Sequence, residues 1–276
     1  MNHEEALAAF RQWDVVQPLT QAPQLTSETL QGSAHCARVI TAQCENMTQR
    51  FILRTPRSSA APLGFSPQHQ FACLQAAAAH GLAPRPVWQS PTGDSMVMEY
   101  VESDAHPVAK DLIRLMRGVH SLTPLGAPLD INERISHYHS VALGNGVSEE
   151  QLIAPGLSEV KRLSHALEQD RQVMCHNDLH PDNVRKCALN VLALDWEYAA
   201  PGSAYFDVAA ALAGWPQLNE EHFVAAVLGD EYSRDCWRLA KSAYAAVSWN
   251  WHWAAGLTPG TSEQLEAMRH SMAIAS

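Results

Sequence analysis

The chain has 276 residues, 46% of them apolar and 17% charged. That supply of apolar side chains offsets the ordering entropy of a compact fold and excludes native disorder. A formal net charge of -10 argues against nucleic acid or an anionic membrane as partner and favours a cationic ligand.

From the N-terminus, Met1 to Trp13 is acidic and amphipathic and is read as lacking a secretory leader. Short strands are predicted around Leu30, over Cys36 to Thr41, over Arg50 to Arg54 and over Met96 to Val101. Between the last two a helix is predicted from Pro67 to His80, with proline in its first turn and Gly81 as its stop. A second helix is predicted within Pro107 to Leu122, where Leu112, Leu115, Met116 and Val119 share a face, and mostly helical chain follows. From Met174 to Asp195 the pattern changes to a polar loop and then two short apolar runs, Val184 to Cys187 and Val191 to Leu194, around a turn at Ala188 to Asn190. The six cysteines form no C-x-x-C pair and read as reduced thiols of a cytoplasmic protein. No apolar run approaches the roughly 20 residues of a membrane span. The predicted class is α+β, with a small sheet-plus-helix lobe over residues 1–101, a larger mostly helical lobe over 102–276, and the ligand expected in a cleft between them.

The chemistry concentrates in two segments, M-C-H-N-D-L-H-P-D-N-V (Met174 to Val184) and L-A-L-D-W-E-Y-A (Leu192 to Ala199). Phosphoryl transfer needs a carboxylate beside the attacking hydroxyl and hard oxygen ligands for magnesium on the triphosphate. Asp178 and Asn183 stand five residues apart in one loop, and Asp195 ends the next apolar run. One can face an acceptor while the other two face a metal.

H-x-D-x-x-x-x-N followed by an apolar strand ending in Asp resembles the protein-kinase-like fold. In the form H-N-D-L-H-P-D-N with L-D-W-E-Y-A it resembles the aminoglycoside phosphotransferase and choline kinase superfamily, and within it bacterial thiamine kinases most, then choline and ethanolamine kinases. The resemblance implies an ATP- and Mg2+-dependent kinase acting on a hydroxyl of a small cationic metabolite. Asp178 would be the catalytic base, Asn183 and Asp195 the magnesium ligands, and Glu197 part of the acceptor pocket. His176 and Asp207 would brace the loop. R-F-I-L-R-T-P (Arg50 to Pro56) resembles the strand whose basic residue grips ATP, which assigns Arg54 to the phosphates. M-E-Y-V resembles the adenine-binding hinge, which assigns Glu99 and Val101 to the nucleotide. Gly32 would belong to the phosphate loop, although L-Q-G-S-A-H-C-A-R-V has one glycine where relatives often have two. Gln70 stands where relatives carry the carboxylate that pairs with the phosphate-gripping base.

The run Y-A-A-V-S-W-N-W-H-W (Tyr244 to Trp253) sets Trp249 and Trp253 on one helix face, an aromatic wall suited to an organic cation. Plainer roles stay open beside these. The tryptophans would serve equally as core packing, Arg54 as a solvated strand-end charge, Glu197 as a cap, and His176 with His180 as zinc ligands. The functional alternatives are an aminoglycoside phosphotransferase, a non-catalytic nucleotide-binding regulator and a His/Asp metallohydrolase. Oligomeric state is not legible.

Overall fold

The computed structural model describes residues 5, 23–30, 35–44, 47–56, 66–187 and 190–275. The predicted phosphate-loop residue Gly32, the N-terminal amphipathic segment and the tip of the turn at 188–189 lie outside them. The described chain divides into two compact units. One holds the residues up to 56, 66–107, 185–187 and 190–197; the other holds 108–184 and 198–275.

The first unit is built on a five-stranded antiparallel sheet, in the order β1 (Gln24–Leu30), β2 (His35–Cys44), β3 (Met47–Pro56), β5 (Met96–Glu99), β4 (Pro86–Gln89). Alternation along β3 buries Gln49, Phe51, Leu53 and Thr55 and sends Arg50, Ile52 and Arg54 to the other face. Phe51 and Leu53 pack with Ile40, Ala42 and Val97, and Val87 and Trp88 close that cluster. Helix α1 (Pro67–Ala79) starts where Ser66 Oγ accepts the His69 amide and Pro67 presets the first turn. It ends as Gly81 takes φ +70°, and buries Gln70, Cys73, Leu74 and Ala77. Strands β7 (Val184–Cys187) and β8 (Asn190–Ala193) pair as a hairpin, and the Ala193 amide donates to the Leu82 carbonyl.

In the second unit, α2 (Ala109–His120) buries Leu112, Leu115, Met116 and Val119, the face read from their spacing. After α3 (Ile131–Gly144) and α4 (Ser158–Glu168), β6 (Gln172–Cys175) pairs antiparallel with β9 (Ala200–Ser203). Ser203 Oγ then caps α5 (Ala204–Gly214), and α6 (Glu220–Leu228) follows. Helix α7 (Arg234–Ala254) packs against α3, α4, α5 and the last helix, α8 (Ser262–Ala275). It is pinned by Asn250, wholly buried, whose side chain accepts the Ile153 amide at 2.9 Å and donates to the Ile153 carbonyl at 2.8 Å. No described helix is long and apolar enough to cross a membrane.

The architecture is thus α+β, with a small antiparallel sheet and helix preceding a mostly helical unit, as the sequence leads one to expect.

Candidate active site

The predicted residues fall into one cluster in each unit. In the second unit, the chain leaving β6 makes a tight loop through Asn177, which sits at φ +64°. Asparagine tolerates that left-handed conformation better than most residues. Here it is fixed on two sides: the Asn177 amide donates to Asp207 Oδ1 at 2.6 Å, and its side-chain Nδ2 donates to the Tyr198 carbonyl at 3.0 Å. Asp178 follows, its side chain about one-third accessible at 30%. Asn183, closing the short helical turn Pro181–Asn183, donates Nδ2 to both the Asp178 carbonyl (3.0 Å) and Asp178 Oδ2 (2.8 Å). Both partners are acceptors, so the amide orientation is set, and the atom Asn183 has for a cation is its Oδ1.

His180 completes the turn. Its Nδ1 accepts the Asp182 amide at 3.3 Å, which leaves the ring proton on Nε2, 3.6 Å from Asp178 Oδ2. That use of Nδ1 sets His180 into the loop's own scaffold. His176 is fully buried at the root of the loop.

Asp207 is the loop's anchor. Besides Asn177 it accepts a hydrogen bond from His120 Nε2 at 2.8 Å. Burial alone would raise its carboxyl, but the His120 contact and the Asn177 amide hold it below the usual carboxylate range. His120, Cys175 and Asp207 lie close enough to be weighed as a metal cluster. Burial, together with the charges of Asp207 and Asp170, pushes the Cys175 thiol well up, so without a metal it packs as a neutral thiol. The trio is a structural bolt. His120 and Gly214 were not singled out in the sequence. A Cβ at Gly214 would stand 2.8 Å from His180 Cβ and 3.0 Å from its Cα, so the end of α5 admits only glycine against the loop. Its position at a helix end reads locally as a stop signal and hides that packing role.

In the same unit, α5, α6, α7 and α8 line a cavity of about 420 Å3 with Trp237, Tyr244, Ser248, Trp249, Glu220 and Lys241 among others. The Tyr244 hydroxyl is raised by burial and by the charge of Asp178. Trp249 lines the cavity and donates Nε1 to the Gln151 carbonyl at 2.8 Å. Trp253 lines a different cavity of about 390 Å3, with Trp249, Arg269 and Glu150. Trp251, on the opposite face, donates to the Tyr198 hydroxyl at 2.6 Å.

The first unit holds the other cluster. Asp195 follows β8 at φ +57°, and Arg54 of β3 meets it in a two-pronged ion pair, Nη1 to Oδ1 at 2.9 Å and Nη2 to Oδ2 at 3.0 Å. Gln70 of α1 donates Nε2 to Asp195 Oδ1 at 3.2 Å. Glu197, almost buried, lies 3.9 Å from Arg54 Nη2. Burial would lower the Arg54 guanidinium, but Asp195 and then Glu197 hold it above its ordinary value. Glu197, assigned from sequence to the acceptor, therefore stands next to the phosphate-gripping candidate. Glu99 receives Arg85 Nη2 at 2.8 Å and Nε at 3.0 Å, and its amide donates to the Arg85 carbonyl. Val101 follows β5, half-buried.

A two-unit α+β fold whose loop sets a carboxylate against an asparagine, and whose hairpin ends in a second carboxylate paired with a strand arginine, defines a protein of kinase-like class. Residues 38–241 match the model of the phosphotransferase enzyme family, and the chain belongs to that family. It is 27% identical over 180 residues to a thiamine kinase of Salmonella paratyphi B, an alignment covering 63% of this chain and 61% of that protein. The match thus spans about three-fifths of the curated relative's length. In fold it is similar to the choline kinase LicA from Streptococcus pneumoniae (TM-score 0.67, 19% identity, 91% of this chain and 94% of that one). It is likewise similar to the aminoglycoside phosphotransferase APH(4)-Ia solved with AMP-PNP and hygromycin B (TM-score 0.58, 14% identity, 91% and 94%).

Proposed function

We propose that the protein is a cytoplasmic, ATP- and magnesium-dependent kinase that phosphorylates a hydroxyl of a small cationic metabolite of the thiamine or choline/ethanolamine type. The observation that carries this is the Asp178 carboxylate, still accessible, held at 2.8 Å by Asn183 in a loop anchored on Asp207. With Oδ2 engaged by Asn183, Oδ1 is the atom assigned to take the acceptor's proton. As that proton leaves, the acceptor oxygen bonds to the γ-phosphorus, the bond to the bridging oxygen breaks, and ADP departs. Asn183 and Asp195 are assigned as magnesium ligands. The donors fit that ion, because a carboxylate and the carboxamide oxygen are both hard ligands. When bound, magnesium neutralises charge on the terminal phosphates. Arg54 serves the phosphates as well, and Glu99 and Val101 serve adenine through main-chain groups.

The cationic acceptor is supported by the cavity among α5, α6, α7 and α8, where the Tyr244 hydroxyl feels the charge of Asp178. Trp237, Tyr244 and Trp249 bring aromatic rings to that cavity, the faces an organic cation needs. The relatives' names point the same way, to thiamine and choline. Cys73, Cys175, Cys187 and Cys236 are free thiols, which suits a reducing cytoplasm.

ADP release should be measured across thiamine, choline, ethanolamine, simple sugars and aminoglycosides. One strongly preferred cationic acceptor is expected, with Asp178→Ala losing about 100- to 10,000-fold in kcat while ATP binding persists. Wild-type turnover by Asp178→Ala would refute the mechanism. A second possibility, a non-catalytic nucleotide-binding regulator, is favoured by one observation, the closed pairing of Arg54 with Asp195. It predicts ATP binding without turnover on any acceptor.

A further inference from the structure

Helix α1 brings a neutral amide, and not a carboxylate, to the Arg54–Asp195 pair. Gln70 has hydrogens to give, so it goes to Asp195 Oδ1 and adds to the grip that Arg54 already has on both oxygens of that group. The arginine has no competing carboxylate from α1, and Glu197 stands farther off, at 3.9 Å. We propose that Arg54 acts as the resident counter-ion of Asp195, so that a divalent cation reaches this carboxylate only together with a nucleotide whose phosphates draw the guanidinium away. Gln70 permits this because, unlike a carboxylate, its amide leaves Arg54 to Asp195.

The inference rests on the assignment of Asp195 as a metal ligand and concerns the order in which metal and nucleotide bind. A guanidinium and a metal ion compete for the same lone pairs, and the pair here is two-pronged and mostly screened from water, with side-chain exposures of 11% and 19%. Asp195 and Glu197 hold Arg54 in its charged form, so no ordinary rise in pH loosens it. Another anion must take it. A triphosphate, with several oxygens arrayed for a guanidinium fork, is an anion of that kind.

The test titrates Mn2+ against the full chain and follows the EPR signal of the free ion, with and without ADP. Wild-type protein is expected to bind Mn2+ with ADP and to leave it free without. Arg54→Gln is expected to bind Mn2+ without nucleotide at least about tenfold more tightly than wild type, the factor that a lost charge-assisted contact converts to. Gln70→Glu, which keeps Arg54, is expected to gain similarly, since a carboxylate at that position draws the guanidinium off Asp195. Gln70→Met removes the amide without offering the arginine a partner, and is expected to gain nothing. Equal Mn2+ binding by wild type with and without ADP would overturn the inference and leave the kinase assignment standing. So would an equal gain in Gln70→Met and Gln70→Glu, or no gain in a folded Arg54→Gln or Gln70→Glu protein. Failure of wild type to bind Mn2+ even with ADP would remove the metal assignment and this inference with it.

Discussion

Asp207→Ala is expected to weaken the second unit and slow turnover together, because one buried carboxylate serves both. Asp207 has no exposed surface, and each oxygen is engaged, Oδ1 by the Asn177 amide at 2.6 Å and Oδ2 by His120 Nε2 at 2.8 Å. Hydrogen bonds to a charged group contribute about 1.5–3 kcal/mol each. Deleting one partner of a buried pair strands the other, so the expected loss is about 3–5 kcal/mol. Asp207→Asn keeps an acceptor for the Asn177 amide but turns an NH2 toward His120, and should lose about half as much. Urea unfolding at neutral pH measures both. The pH dependence gives a second reading. The Asp207 carboxyl is depressed in the folded chain, so its contribution is complete above the unfolded value of roughly 3.9 and is lost as pH falls from there through the folded value. The acid limb of the stability profile should therefore flatten in Asp207→Ala. Because Asn177 holds φ +64° against that carboxylate, the loop carrying Asp178 shifts when it goes, and a displacement of about 1 Å is enough to cost roughly 100-fold in kcat. A loss below about 1 kcal/mol with unchanged kcat would refute the anchoring role.

Asn250→Ala removes the side chain that satisfies both main-chain groups of Ile153 inside the helical unit, and should destabilise the protein by about 2–4 kcal/mol in a denaturant titration. Ser233→Ala deletes the N-cap of the 21-residue α7, where Oγ accepts the Cys236 amide, and should lose about 1 kcal/mol with kcat unaffected. Burial pushes the Cys73 thiol up to about 11 and the Cys175 thiol well up, so at pH 8 a thiol reagent should, among the described cysteines, modify the partly exposed Cys187 and Cys236 first. Cys73 and Cys175 should react only after denaturant is added; fast labelling of either in the native protein would contradict that burial.

The sequence carries the elements whose periodicity is strong and whose breakers are local. Pro67 and Gly81 bracket α1, and the apolar face of α2 follows from four residues. Val184 to Cys187 and its partner run become β7 and β8. Strand β4 lies at the sheet edge, is four residues long and has a register shift against β5, so no alternation is left to read. Strand β9 is A-P-G-S, a composition that signals a turn; it is extended because β6 supplies its hydrogen bonds from 25 residues upstream at Cys175 and Ala200 to 31 at Gln172 and Ser203. The same reason hides His120, which meets Asp207 across 87 positions, and Asn250, which meets Ile153 across 97. No local window contains both partners.

Asp178, Asn183 and Asp195 stand out in the sequence by residue type and spacing, but the backbone that presents them does not. Among the described residues two that are not glycine take positive φ: Asn177, next to Asp178, and Asp195. Holding such a residue in the left-handed region costs about 1–2 kcal/mol, and glycine would remove most of that cost. Neither position can use glycine without losing an atom the site needs. At Asn177 it is Nδ2, which ties the loop to Tyr198; at Asp195 it is the carboxylate that Arg54 and Gln70 grip. The structure offsets the strain where it arises, through the Asp207 contact at the first position and the guanidinium fork at the second. Strain kept beside functional groups, with a removable side chain as its only cause, is what separates these two loops from ordinary turns of the same length.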